Sequence, residues 1–172
     1  VPVLADSTVR REYVFAARDR HDEMPFHERT VSDGRYQYIL NHRAGEPGAK
    51  PLRYREQLRT MQELHAWFEG GRMNDQQAFW FRPRPREELY DLAADPHEVN
   101  NLAADQSYAD VLERLRVALE DWHERVADLS DEPEATMAER FWPGGVQPVT
   151  SAPSITLSED KAVIASETDG AS

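Results

Sequence analysis

An α+β fold, with a small antiparallel sheet packed against one long helix near the carboxy terminus, is what this 172-residue sequence predicts. Three observations carry that prediction. Between 106 and 127 the apolar residues Tyr108, Val111, Leu112, Leu115, Leu119, Trp122 and Val126 step by threes and fours, which puts them on one stripe of a helix. Asp33-Gly34 sits between two strand-like runs, where a tight hairpin turn needs residues that tolerate positive φ. Strand-like and helix-like segments are interspersed, which implies a layer of sheet on helices. Beyond them comes a short β segment that reads as the start of a truncated domain.

In chain order, Glu12-Tyr-Val-Phe-Ala-Ala-Arg18 is apolar, aromatic and β-branched, and reads as a buried strand. It runs into the polar cluster Arg18 to Glu23. Residues 29–32 form a second strand, and residues 35–41 return with Tyr36, Tyr38 and Leu40 on one face. Gly45, Pro47, Gly48 and Pro51 mark a loop over 42–52. A helix over 53–69 follows, with Leu58, Met61, Leu64, His65 and Phe68 at helical spacing, stopped by Gly70-Gly71. A shorter helix falls near 74–79. Residues 82–85 lead extended into a strand at 88–92. Asp95-Pro-His-Glu98 has the layout of a helix start, Asp95 capping and Glu98 reaching back to the cap amide.

From Phe141 the character changes. Residues 143–153 form a Pro/Gly/Ser-rich linker. Ser154-Ile-Thr-Leu157 and Ala162-Val-Ile-Ala165 are two short strands around a turn at Glu159-Asp160, too few to be stable alone. The organisation is therefore a subdomain over 1–142, the linker over 143–153, and the beginning of a β domain over 154–172.

Composition narrows the function classes. A net charge of −12 disfavours a general nucleic-acid binder, because phosphate contacts need a concentrated basic surface. The charge is uneven, since residues 128–172 hold nine acids against Arg140 and Lys161. No apolar run approaches the roughly 18 residues of a membrane span, so no membrane partner is expected. Cysteine is absent, which excludes disulfides, thiolate metal sites and a cysteine nucleophile within the chain. Of the 20 basic residues 18 are Arg, a bias that suits bidentate oxyanion recognition and that GC-rich coding DNA produces equally well.

Word-level matches go further than periodicity. Phe15-Ala-Ala-Arg-Asp-Arg-His-Asp-Glu23 precedes Arg29-Thr-Val-Ser-Asp-Gly-Arg-Tyr-Gln-Tyr-Ile-Leu-Asn41. Glu87-Glu-Leu-Tyr-Asp-Leu92 and Asp95-Pro-His-Glu-Val-Asn-Asn-Leu102 follow, and then a long helix ending near Trp122. In this order they resemble, over roughly residues 10–127, the carboxy-terminal subdomain of the sulfatase family, especially its heparan N-sulfatase (sulfamidase)-like bacterial branch. The resemblance implies a small antiparallel sheet and long helix docked on a large domain of alkaline-phosphatase type. That catalytic domain, expected upstream of Val1 in the same polypeptide, would hold a formylglycine nucleophile and calcium. None of its motifs occurs here, since there is no Cys and no Ser-x-Pro-x-Arg pattern. The tail is similar to the start of a chitobiase-type carboxy-terminal β-sandwich.

The resemblance also places the cluster around Arg20, His21 and Asp22 at the rim of a substrate cleft. There Arg20 and His21 would contact sugar hydroxyls or a second sulfate, with Asp22 orienting the imidazole. The plainer reading is a salt-bridged strand end against the large domain. A metal site is not expected, because His21, Asp22 and Glu23 are sequential and alternate faces along a strand. His97 and Glu98 belong to a capping turn, and His65 and His123 are surface or edge residues. Tyr36, Tyr38, Tyr90 and Trp122 are core, and Phe141-Trp142 is an exposed pair available to a parent domain. The resemblance thus implies a secreted or periplasmic enzyme acting on a sulfated carbohydrate, this chain forming part of the cleft wall and inactive alone. A phosphonate monoester or phosphodiester hydrolase of the same superfamily, or an independent carbohydrate-binding module, are the alternatives.

Overall fold

The computed structural model describes residues 11–146, 149–157 and 162–165. Four strands, β1 (Val14–His21), β2 (Met24–Ser32), β3 (Tyr36–Asn41) and β4 (Glu87–Asp91), form one antiparallel sheet in the order β1-β2-β3-β4. The long β3–β4 connection holds α1 (Arg59–Glu69) and the single turn α2 (Asp75–Ala78), and α3 (Ala109–Val126) follows the sheet. Among the described residues no helix is long and apolar enough to cross a membrane.

Register explains the core. Val31 opposes Tyr38, which opposes Leu89, so one residue from each of three strands shares a face. On that face Leu112, Leu115 and Leu119 of α3 pack against them, and all six are buried. Each buried leucine contributes about 1.5–3 kcal/mol of transfer free energy. A 3-10 turn at Gln106–Tyr108, capped by Asp105 accepting from the Ser107 amide at 2.9 Å, leads into α3, which ends on Ala127 in the left-handed region. Tyr38 and Tyr90 are 2% and 1% exposed, in line with a core role, and Trp122 stacks on Phe15 with centroids 5.2 Å apart.

Several sequence expectations change. The segment 12–18 is not buried: β1 is an edge strand of the sheet, and all of it except Phe15 is exposed. The apolar residues that made it read as buried are used on one side only, where Tyr13 and Phe15 meet α3. β2 begins at Met24, five residues before the expected strand. At the β2–β3 hairpin only Gly34 takes a positive φ (+93°), while Asp33 Oδ1 accepts from the Arg35 and Tyr36 amides at 2.8 and 2.7 Å. The helix expected over 53–69 breaks at Leu58 (ψ 128°), leaving a 3-10 turn at Arg55–Gln57 before α1. Asp95 does not start a helix: its Oδ2 accepts from the Val99 and Asn100 amides at 2.9 and 2.8 Å, closing a loop. Glu98, at φ +53°, accepts from Gln37 at 3.0 Å instead of reaching back to a cap. Residues 74–79 do carry a turn of helix, capped reciprocally by Asn74 and Gln77.

The chain divides into two compact units at Asp128/Leu129. The second contains α4 (Glu134–Phe141), a helix the sequence reading did not anticipate, with Arg140 paired to Glu132 at 3.1 Å. It also contains β5 (Ser154–Leu157) paired antiparallel with β6 (Ala162–Ala165), the two strands expected there. The turn expected between them, at Glu159-Asp160, lies outside the described residues, as do residues 1–10. Phe141 and Trp142 are both exposed.

Candidate functional site

The polar cluster of the sequence lies at the tip of the β1–β2 hairpin. Arg20 pairs with Pro25 and His21 with Met24, so Asp22 and Glu23 are the two turn residues, with Asp22 at φ +49°. Residues 19–23 are all exposed. The pleat puts Arg20 and His21 on opposite faces of the ribbon, and Asp22 takes the turn between them and the returning strand. The three residues are thus brought to one tip but do not line one surface. Glu23 is the anchor of this tip. Its Oε1 accepts from the Arg53 amide at 2.7 Å, and that bond holds its carboxyl below the ordinary glutamate value of 4.5. The hairpin end is thereby tied to the segment leading into α1.

A bulge aims the tip. Arg18 opposes Glu28 while Arg20 opposes Pro25, so Asp19 alone faces both Phe26 and His27. His27 takes φ +63°, a conformation uncommon for a residue with a Cβ. Its ring stacks on His42, with centroids 3.9 Å apart and planes at 4°. Two rings so parallel are packed face to face, and His42 in turn lies 6.3 Å from the His123 ring. His123 reaches Asp128 at 3.7 Å.

Beside this stack is Arg29, 1% exposed. Its guanidinium meets Asp19 at 2.6 Å and Asp128 at 2.6 and 3.0 Å, and it also donates to the Glu28 carbonyl at 2.8 Å. Burial works against its charge, but the two carboxylates outweigh burial and its pKa rises. Sequence reasoning treated Arg29 as an ordinary strand residue, singled out neither His27 nor His42, and read His123 as a surface or edge residue. One signal was available. Apolar Met24 and Phe26 alternate, yet Val31 falls on the other parity, so the period slips by one in between, as a bulge requires.

The other sheet face carries a linear ion network. Arg18 pairs with Glu28 at 2.5 Å, Arg84 with Glu28 at 2.6 Å, and Arg84 with Glu88 at 2.8 Å. Asn41 and Tyr90 both donate to Glu88, at 2.6 and 2.5 Å. Burial first, then Glu88, pushes the Tyr90 hydroxyl pKa far up, so it stays a donor. These charges satisfy one another and hold β2, β3 and β4 together; they present no open pole to a ligand.

No family model matches the chain. An ulvan-active sulfatase of Formosa agariphila is 38% identical over 164 residues, which cover 94% of this chain. The chain is similar to part of a sulfatase. It spans 28% of that protein's length, so the match is to a part of a sulfatase. The human N-sulphoglucosamine sulphohydrolase is 54% identical over 39 residues, 23% of this chain and 8% of that protein. Among solved structures, a 2-O GAG sulfatase aligns at TM-score 0.43 and 21% identity, covering 72% of this chain and 18% of the other.

Proposed function

We propose that this chain is the carboxy-terminal part of a secreted or periplasmic sulfatase that removes sulfate from a sulfated carbohydrate. The observation that carries the reading is identity of 38% across nearly the whole chain with a sulfatase named as active on ulvan. The second relative is named for a sulfated amino sugar, which fits the same substrate class. A large domain of alkaline-phosphatase type, outside this chain, would supply the formylglycine nucleophile and the calcium charge at the sulfate. This chain encodes no Cys and no Ser-x-Pro-x-Arg pattern, so its own residues serve by binding and shaping. Beyond the linker, 154–172 would open an appended β-sandwich.

Within that enzyme the β1–β2 tip forms part of the cleft wall. Arg20 offers a charged fork to an anionic group, and His21 offers ring nitrogens to a hydroxyl or sulfate oxygen. Asp22, held in the turn, offers an acceptor to sugar hydroxyls. His21 is exposed, so its side chain can be removed at little cost in buried area. His21→Ala in the full-length protein therefore raises KM for a sulfated oligosaccharide by about tenfold, the loss of one charged hydrogen bond, with kcat little changed. Unchanged KM and kcat would remove the tip from the substrate side.

A further inference from the structure

The hairpin tip is poorly held by its own ladder. The bulge interrupts pairing between Arg18 and Arg20, and beyond it only Arg20↔Pro25 and His21↔Met24 remain. Pro25 has no N–H to give. Something other than strand pairing must fix the direction in which residues 20–22 leave the sheet, and a buried cation sits at that point. Arg29 reaches back to Asp19, the β1 residue opposite the bulge, and forward to Asp128, two residues past the end of α3.

We propose that Arg29 is a positioning residue, clamping the bulge through Asp19 and Asp128 so that the Arg20–His21–Asp22 tip keeps one direction. This rests on the reading of the tip as a substrate contact. The guanidinium suits the task because its planar fork serves two carboxylates at once, each with a directed hydrogen bond; an ammonium has the charge without the fork. Burial matters for the Asp128 arm, because a pair shielded from water is screened little by salt. The His27–His42 stack holds the partner side of the same bulge, and Glu23 ties the far end of the tip to Arg53. The tip is therefore fixed at its root and at its end, with Arg20, His21 and Asp22 between the two anchors.

The test uses Arg29→Lys and Asp19→Asn in the full-length protein. Amide hydrogen exchange is read over residues 19–24, with β3 as the internal reference, alongside KM and kcat on a sulfated oligosaccharide. Asp19 is 58% exposed at its side chain, so Asp19→Asn opens one arm of the clamp while Arg29 keeps Asp128, and it serves if the lysine variant fails to fold. The expected result is tip exchange faster on the order of tenfold, unchanged exchange in β3, and a several-fold rise in KM with kcat kept. Unchanged tip exchange in a folded variant overturns the clamp. Faster tip exchange with unchanged KM overturns the positioning role, and His21→Ala distinguishes the two failures, since it leaves KM alone only where the tip does not touch substrate.

Discussion

Glu98 shows how one residue can sit against the grain of the fold. Burial pushes its carboxyl above the ordinary 4.5, with Glu88 and Asp95 adding repulsion, while Gln37 and Arg84 oppose the rise. A raised carboxyl pKa means that the folded state holds the proton more tightly than the unfolded chain. The stability linked to that proton is complete below the unfolded pKa and lost as pH rises through the folded one. At neutral pH the ionised Glu98 is thus a cost. Glu98→Gln removes the charge, and an amide there still accepts from Gln37. Its thermal midpoint is expected above that of the unaltered protein at pH 7, with the gap closing near pH 4; a lower midpoint at pH 7 would contradict this. At this scale the sequence was least legible. The Asp95-Pro-His-Glu98 word looks like a helix cap, and only the closure of Asp95 onto Val99 and Asn100 reveals a loop. Arg29 was opaque for a different reason: its partner Asp128 is 99 residues away, and no local pattern encodes that distance.

Elements formed by near neighbours were readable. The α3 stripe is set by helical spacing, and Leu112, Leu115 and Leu119 are the residues it buries. The β2–β3 hairpin was readable because Gly34 and Asp33 act within four residues of each other, Gly34 by its φ of +93° and Asp33 by accepting two amides. A Cβ at Gly34 would meet no atom within 4 Å, so the cost of adding one is conformational and not steric. Gly34→Ala is expected to destabilise the fold by about 1–2 kcal/mol, the penalty of a left-handed residue with a side chain. Urea unfolding reads this directly, and an unchanged midpoint would mean the turn relaxes to another type. β1 was misread because an aromatic, β-branched run looks the same at a sheet edge as at its centre. Sequence records the residue types, but only the topology decides which strand has a neighbour on each side.

At the scale of the molecule, the sheet and α3 form one unit ending at Asp128, and α4 with β5 and β6 belongs to a second. The family words lie in the first unit, and the candidate tip projects from it, anchored through Arg29 and Glu23. The similarity to the ulvan-active sulfatase extends over nearly the whole chain while spanning 28% of that protein's length. Which side of the sheet would face the proposed larger domain was not legible in the sequence, because a docking face and a solvent face carry the same mixture of Arg, Glu and Tyr. The most direct measurement is sulfate release by the full-length protein, followed by ion chromatography, on sulfated polysaccharides with phosphonate monoesters and phosphodiesters in parallel. Release of free sulfate, with the phosphorus esters slower, is the predicted result. Hydrolysis of the phosphorus esters with no sulfate released, or no hydrolysis of any of them by the folded protein, would contradict the assignment.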